Sequence, residues 1–213
     1  QRENFAEENR NMAEKNDAFA HFKNAALEVL PMILEQMDED RLLNAADLID
    51  GALRRGGRVH ITGIGKPAHI AGYIASLMSS TGTPAYFLHG TEAVHGSCGQ
   101  LVQGDVVICI SNSGKTAELH ATANAIKNNG CKMIAVSGNP QSPLAELSDV
   151  HLFAGVNEEG GPLNRAPRLS ILAQTIVLQS LSVILQQRRN ITPKQYIMWH
   201  PGGSLGQLRA DEK

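Results

Sequence analysis

Apolar positions along the first third of the chain follow helical spacing. Leu42, Ala46, Ile49 and Leu53 recur at i, i+4, i+7 and i+11, the stripe of an amphipathic helix that Gly56-Gly57 would stop. Leu27, Leu30, Leu34 and Met37 form an earlier stripe, with Pro31 marking a kink or a fresh start. From Arg58 the pattern changes to short uncharged runs rich in β-branched residues, alternating with helical segments. RVHITG (58–63), PAYFLH (84–89), DVVICIS (105–111), KMIAVSG (132–138) and VHLFAG (150–155) read as strands. Between and after them, Pro67 to Ser80, Thr116 to Asn129, Pro143 to Leu147, about Arg168 to Arg188, and Pro193 to Met198 read as helices. Strands without polar alternation, each followed by a helix, predict an α/β fold whose parallel sheet is covered on both faces. The expected organisation is N-terminal helices over 1–57, a core domain over 58–208 and a tail over 209–213.

Composition narrows the class. Of 213 residues, 42% are hydrophobic and 19% charged, with a formal net charge of −2. A real core is therefore available, and a disordered or strongly basic nucleic-acid-binding chain is excluded. Residues 1–57 hold 7 Lys+Arg against 12 Asp+Glu, and the remainder holds 12 against 9. An acidic helical pair matches a phosphate backbone poorly, so this segment is expected to pack or to self-associate. The longest apolar stretch, Ile171 to Leu185, is interrupted by Gln174, Thr175, Gln179, Ser180 and Ser182, so no membrane span is expected. Three cysteines without CxxC spacing indicate neither a disulfide framework nor a zinc ribbon, and the polar start QRENFAEENR is unlike a signal peptide. A reduced, cytoplasmic protein is expected.

In open parallel sheets, ligands bind beyond the carboxyl ends of strands where the strand order reverses. For a flavodoxin-like order 2-1-3-4-5, that place lies between the first and third strands. The loops there are Gly63-Ile64-Gly65-Lys66-Pro67 and Ser111-Asn112-Ser113-Gly114-Lys115-Thr116. Ser111, Ser113 and Thr116 place hydroxyls at a helix N-terminus, where N–H groups and hydroxyls can converge on phosphate. An ordinary helix cap is the competing reading. GIGKPA satisfies only the permissive dinucleotide pattern, and the second strand ends in Leu88-His89 rather than an acidic residue. A Walker loop fails because Gly65-Lys66 is followed by Pro67. Lys66 would instead meet a small anionic substrate directly. His89, Glu92 and His95 lack a standard zinc spacing, so no metal is expected.

Taken together, GIGKPAHIA, SSTGTPAYFLHGTEAVHGSCG, DVVICISNSGKTAEL, SGNPQSPLAELSDVHL, the segment from Glu158 to Pro167 and WHPGGSLG resemble the sugar isomerase (SIS) domain. Within it they are similar to arabinose 5-phosphate isomerases lacking CBS domains. The resemblance runs from about Val59 to Leu208. It implies a three-layer sandwich around a five-stranded parallel sheet, no cofactor, and interconversion of an aldose phosphate and a ketose phosphate. It assigns catalytic roles to Lys66, His95, Glu118, Glu159 and His200, and substrate binding to Gly65, Ser111, Asn112, Ser113, Gly114 and Thr116. A carboxylate or histidine would serve as base, with Lys66 beside the developing oxyanion; the base falls on a histidine or Glu159 before Glu118. His200 would come from a neighbouring chain of a homodimer or homotetramer. Two segments depart from the family pattern. The helix start reads Ala166-Pro167-Arg168-Leu169-Ser170-Ile171-Leu172, with one hydroxyl left, and His95-Gly96-Ser97-Cys98-Gly99 has lost a carboxylate. They set a second expectation beside the isomerase: a phosphosugar-binding sensor without turnover. The chain's end after WHPGG sets a third, that regulation through CBS modules is absent.

Overall fold

The computed structural model describes residues 2–212, with side chains described from Asp17 onward; Gln1 and Lys213, at the outer ends of the expected N-terminal segment and tail, lie outside the described residues. Two helices, α1 (Arg2–Gln36) and α2 (Glu39–Arg54), precede the sheet. The Asp38 carboxylate accepts from the Arg41 N–H at 3.0 Å and starts α2, with Glu39 and Asp40 in its positive first turn. Then β1 (Val59–Gly63), α3 (Lys66–Ser80), β2 (Ala85–Phe87), β3 (Val106–Ile110), α4 (Ala117–Asn128), β4 (Lys132–Ser137), α5 (Pro143–Leu147) and β5 (Val150–Phe153) alternate. The chain closes with α6 (Leu169–Arg189) and α7 (Pro193–Met198). Two 3₁₀ turns, Glu92–His95 and Ser97–Gln100, fill the β2–β3 connection.

All strand pairs are parallel and the order is β2-β1-β3-β4-β5. The two-residue period of the strands divides the core. Ile61, Ile108, Ile110, Ile134 and Val136 face α1, α2, α3 and α6. Val107, Cys109, Met133 and Ala135 face α4 and α5, meeting Leu119, Ala123, Ile126 and Leu144. Each fully buried aliphatic side chain contributes about 1.5–3 kcal/mol relative to exposure, which explains the lack of polar alternation in the central strands.

Helices α3 and α6 run side by side in the same direction. Gln179 Nε2 donates to Tyr73 Oη at 2.9 Å, and Arg189 Nε donates to Thr83 Oγ1 at 3.4 Å, both pairs separated by 106 positions. These contacts, one within α3 and one just beyond its end, keep the two helices in step, and both helices begin at the carboxyl edge of the sheet. At the opposite edge the buried Asp50 of α2 receives Arg188 at 3.0 Å and Arg189 at 2.7 Å.

Three features differ from the sequence expectation. Pro31 lies inside an unbroken α1, the helix absorbing the loss of one N–H donor. The buried line of α1 is Ala25, Val29 and Ile33, while Leu27, Leu30 and Leu34 are 63%, 43% and 52% exposed. Leu27, Leu30 and Leu34 thus face outward, while Met37 of the same predicted stripe packs on the core, and Phe22 and Met32 flank the buried line. Finally, α6 has 21 residues and a mean hydropathy of 1.6 in its most apolar window, so length and composition alone would suit a membrane span. Half of that window is buried inside the domain.

Candidate functional site

The β3–α4 loop is built from its hydroxyls. Ser111 is buried, and its Oγ accepts from the Gly114 N–H at 3.1 Å and lies 3.3 Å from Thr116 Oγ1. Ser113 is exposed and its Oγ accepts from the Lys115 N–H at 3.2 Å. Thr116 occupies the N-cap of α4 but makes no side-chain cap. Its hydroxyl is turned toward Ser111, leaving first-turn N–H groups of α4 available to an anion. The loop also has a rigid floor. The exposed Asn112 accepts through its carbonyl from the Gly138 N–H at 2.9 Å. Gly114 has φ +64°, and a Cβ there would collide with Ser142 Oγ. Only glycine meets both demands at low cost.

The β1–α3 loop reaches the same edge. Gly65 precedes α3 without a side-chain cap, Lys66 is the first helical residue, and both are exposed. Pro67 in the first turn has no N–H to satisfy.

Glu159 arrives from the loop after β5 and is 9% exposed. Its Oε2 accepts from the N–H of Arg168 at 2.6 Å and of Ser170 at 3.1 Å, so the carboxylate caps α6, which lacks a cap of its own. Asn164 Oδ1 accepts from the Glu159 N–H at 2.6 Å and braces the loop from within. From α1, His21 Nε2 lies 2.9 Å from Glu158 Oε2. Because α6 packs against α3 and begins at the same edge, Glu159 lies on the edge that carries the Gly63–Lys66 loop. Glu118 is exposed in the first turn of α4 at the same edge.

His95 ends the Glu92–His95 turn and is exposed. His89 is scaffolding: its Nδ1 accepts from the Glu92 N–H at 3.3 Å and lies 3.0 Å from Thr91 Oγ1. Among the described residues no group of three or more His, Cys, Asp or Glu could hold a metal ion.

His200 is the residue the fold sets apart. Its ring stacks on Tyr196 at 4.0 Å, and Nδ1 donates to the Tyr196 carbonyl at 2.8 Å. The neighbouring Trp199 packs toward Gly82, just beyond the end of α3. Lys66 begins α3 and Gly82 follows its end, so the 15-residue helix separates His200 from the loops by roughly 20 Å. Within one chain the structure brings Lys66, Ser111, Asn112, Ser113, Gly114, Thr116, Glu118 and Glu159 to one edge and leaves His200 at the other.

The strongly perturbed groups lie away from these loops. Burial pushes Cys109 far up and Cys131 up to about 11, so neither supplies a thiolate. Asp105 is fully buried. Burial alone would raise its pKa, but N–H groups from Val102 and Arg58 and the Arg58 guanidinium hold it below the usual carboxylate range. Burial lowers His60, against the attraction of Asp105 at 3.2 Å.

Sequence reasoning missed Ser142, Asn164, Tyr73 and Gln179 as supports of the site. Ser142-Pro143 is legible as a helix start, but its contact with Gly114 is long-range and leaves no local signal.

The SIS domain model matches residues 52–184. The arabinose 5-phosphate isomerase KdsD of Pseudomonas aeruginosa is 40% identical over 167 residues, covering 78% of this chain and 50% of that protein. The Francisella tularensis arabinose 5-phosphate isomerase KdsD is 37% identical over 193 residues, covering 88% and 59%. The chain spans about half the length of the curated relatives it matches. Among solved structures, an Escherichia coli CFT073 protein in complex with arabinose 5-phosphate superposes with a TM-score of 0.81 at 31% identity, covering 89% of this chain and 98% of that one. A match running through strands, switch-point loops and α6 leaves one reading of the architecture: the chain belongs to the SIS domain family.

Proposed function

We propose that this chain is a phosphosugar aldose–ketose isomerase, interconverting arabinose 5-phosphate and ribulose 5-phosphate. The observation that carries the reading is the meeting at one edge of a hydroxyl-lined helix N-terminus, a lysine and a carboxylate. Ser111, Asn112, Ser113, Gly114, Thr116 and Gly65 hold the phosphate and the near end of the sugar. Glu159 acts as base. Helix α6 ties down its Oε2, which leaves Oε1 to take the C2 proton of the open-chain aldose. The C2 electron pair then forms the enediol double bond as the C1 carbonyl oxygen gains a proton. Return of a proton to C1 and loss of one from the C2 hydroxyl give the ketose. Lys66 stabilises the oxyanion, and His95, Glu118 and His200 move hydroxyl protons. No cofactor or metal enters this scheme. The two relatives named KdsD, and the arabinose 5-phosphate complex of the structurally similar Escherichia coli chain, support this substrate.

His200 completes the site from a second copy, making the protein a homodimer or homotetramer. The uncovered face of α1 supports this: Phe19, Leu27 and Leu30, with Phe22 and Leu172, line an apolar groove that a second chain would cover. In this reading residues 1–57 are packing and assembly helices, 58–208 the catalytic domain and 209–213 a tail. The setting is cytoplasmic, without nucleic-acid or membrane partners. The test is incubation with arabinose 5-phosphate, ribulose 5-phosphate and hexose phosphates in D₂O, followed by NMR. Deuterium is expected at the exchanged carbon of the pentose phosphates. Binding without exchange would mark a sensor, and neither binding nor exchange would reject the phosphosugar reading.

A further inference from the structure

The loop carrying His95 packs on α4 through the buried Ala93 and makes one buried side-chain hydrogen bond to it. Thr122, on the inner face of α4 and fully buried, donates its hydroxyl to the Gly90 carbonyl at 2.6 Å. Helical Ser and Thr side chains commonly bond back to the carbonyl four residues earlier, as Thr175 does to Ile171 and Ser180 to Ile176 here. Thr122 instead crosses 32 positions of sequence. Gly90 in turn presses on the β1 loop: a Cβ there would lie 2.8 Å from the Gly63 carbonyl oxygen and 2.6 Å from Ile64 Cδ1. Two residues later the Glu92–His95 turn begins, held further by Ala93 N–H to the His89 carbonyl at 2.9 Å. The Thr122 hydroxyl thus ties α4 to a glycine that itself packs on the β1 loop, at the junction of the segments that carry His95, Lys66 and Ser111 to Glu118.

We infer that Thr122 is a positioning residue, clasping the Gly90–His95 loop to the helix whose N-terminus forms the hydroxyl loop, and so fixing His95 relative to the bound sugar. The inference rests on the isomerase reading for its consequence in turnover, though the clasp itself does not. Thr122 touches no substrate, so its loss should leave phosphate affinity alone. Thr122→Val keeps the shape and strands the buried Gly90 carbonyl; Thr122→Ser keeps the hydroxyl.

The experiment compares both variants with wild type in steady-state isomerisation and in backbone hydrogen exchange. Thr122→Val is expected to lower kcat about tenfold, the scale of one buried hydrogen bond, with KM within about twofold. Protection at residues 89–96 should fall while that of β1 and β3 is kept. Thr122→Ser should restore both. If the valine variant does not fold, Thr122→Ala is measured in its place. An unchanged kcat with unchanged protection overturns the clasp, as does a serine variant no better than the valine. Wild-type protein that exchanges no substrate proton overturns the isomerase reading alone, because loop protection in the variants still decides the clasp.

Discussion

Glu159 Oε2 accepts the backbone N–H of Ser170 at 3.1 Å, so the carboxylate proposed as base is also the N-cap of α6. The two duties fall on different atoms, and substitution can separate them. Glu159→Gln keeps an oxygen acceptor for the helix and removes the base. Its stability should stay within about 0.5 kcal/mol of wild type while isomerisation is lost. Glu159→Ala should lose activity and also about 1 kcal/mol of stability, the usual worth of an N-cap. Denaturant melts of both variants check this; equal stabilities would mean the cap is not made.

The hydroxyl loop depends on a glycine that has no side-chain role. Gly114→Ala demands a left-handed residue with a Cβ pressed against Ser142. Destabilisation above about 1 kcal/mol is expected, with phosphosugar affinity falling as the loop shifts. Ser142→Gly in the same chain should recover part of the stability by removing the collision, leaving the φ penalty and the smaller loss of the Ser142 cap of α5. Calorimetric melts and titrations with a phosphosugar read both effects. With Ser142→Gly alone as the reference for the lost cap, a double variant that recovers nothing would put the cost of Gly114→Ala on the backbone.

Much of this architecture was legible in the chain. Uncharged runs such as Val59–Gly63 and Val106–Ile110 are strands because both sheet faces are covered, and the switch-point rule singles out the loops holding Lys66 and Ser111. What stayed hidden depends on distant partners. The hydrophobicity of Leu27, Leu30 and Leu34 could not tell an inward face from an outward one. Nor could the composition of Glu159's loop disclose that its carboxylate would cap a helix nine residues on. The expectation that His200 serves a neighbouring chain comes from the family resemblance; its place beyond the far end of α3 follows from α6 running back down the domain.

Acid should weaken the fold at the edge opposite the site. His60 has a pKa below its ordinary 6.5 in the fold, chiefly from burial. The unfolded chain therefore takes up that proton first, and stability present above about pH 6.5 falls as pH drops through that value. Asp105 has a pKa below its ordinary 3.8, so its contribution is present above about pH 4 and is lost as pH falls through its lower folded value. Melting temperature measured from pH 7.5 to 5 should decline, and His60→Gln should flatten that part of the curve. A decline of equal slope in the variant would assign it to another group, such as His151, which burial also lowers.

The hydroxyl loop, Lys66 and Glu159 share one edge while His200 sits at the other, and the proposed reaction draws on both. Mixing two variants, Lys66→Met and His200→Ala, under conditions of proven subunit exchange tests it most directly. Lys66 is exposed, so its substitution should slow turnover by about a hundredfold, the worth of one oxyanion partner, without unfolding the chain. Each variant alone should be nearly inactive. In a dimer that donates His200 across its interface, random pairing leaves about one site in four with both residues intact, so activity should return to about a quarter of wild type. A mixture as inactive as its parents would rule out donation of His200 across the interface and place it in the service of its own chain or of none.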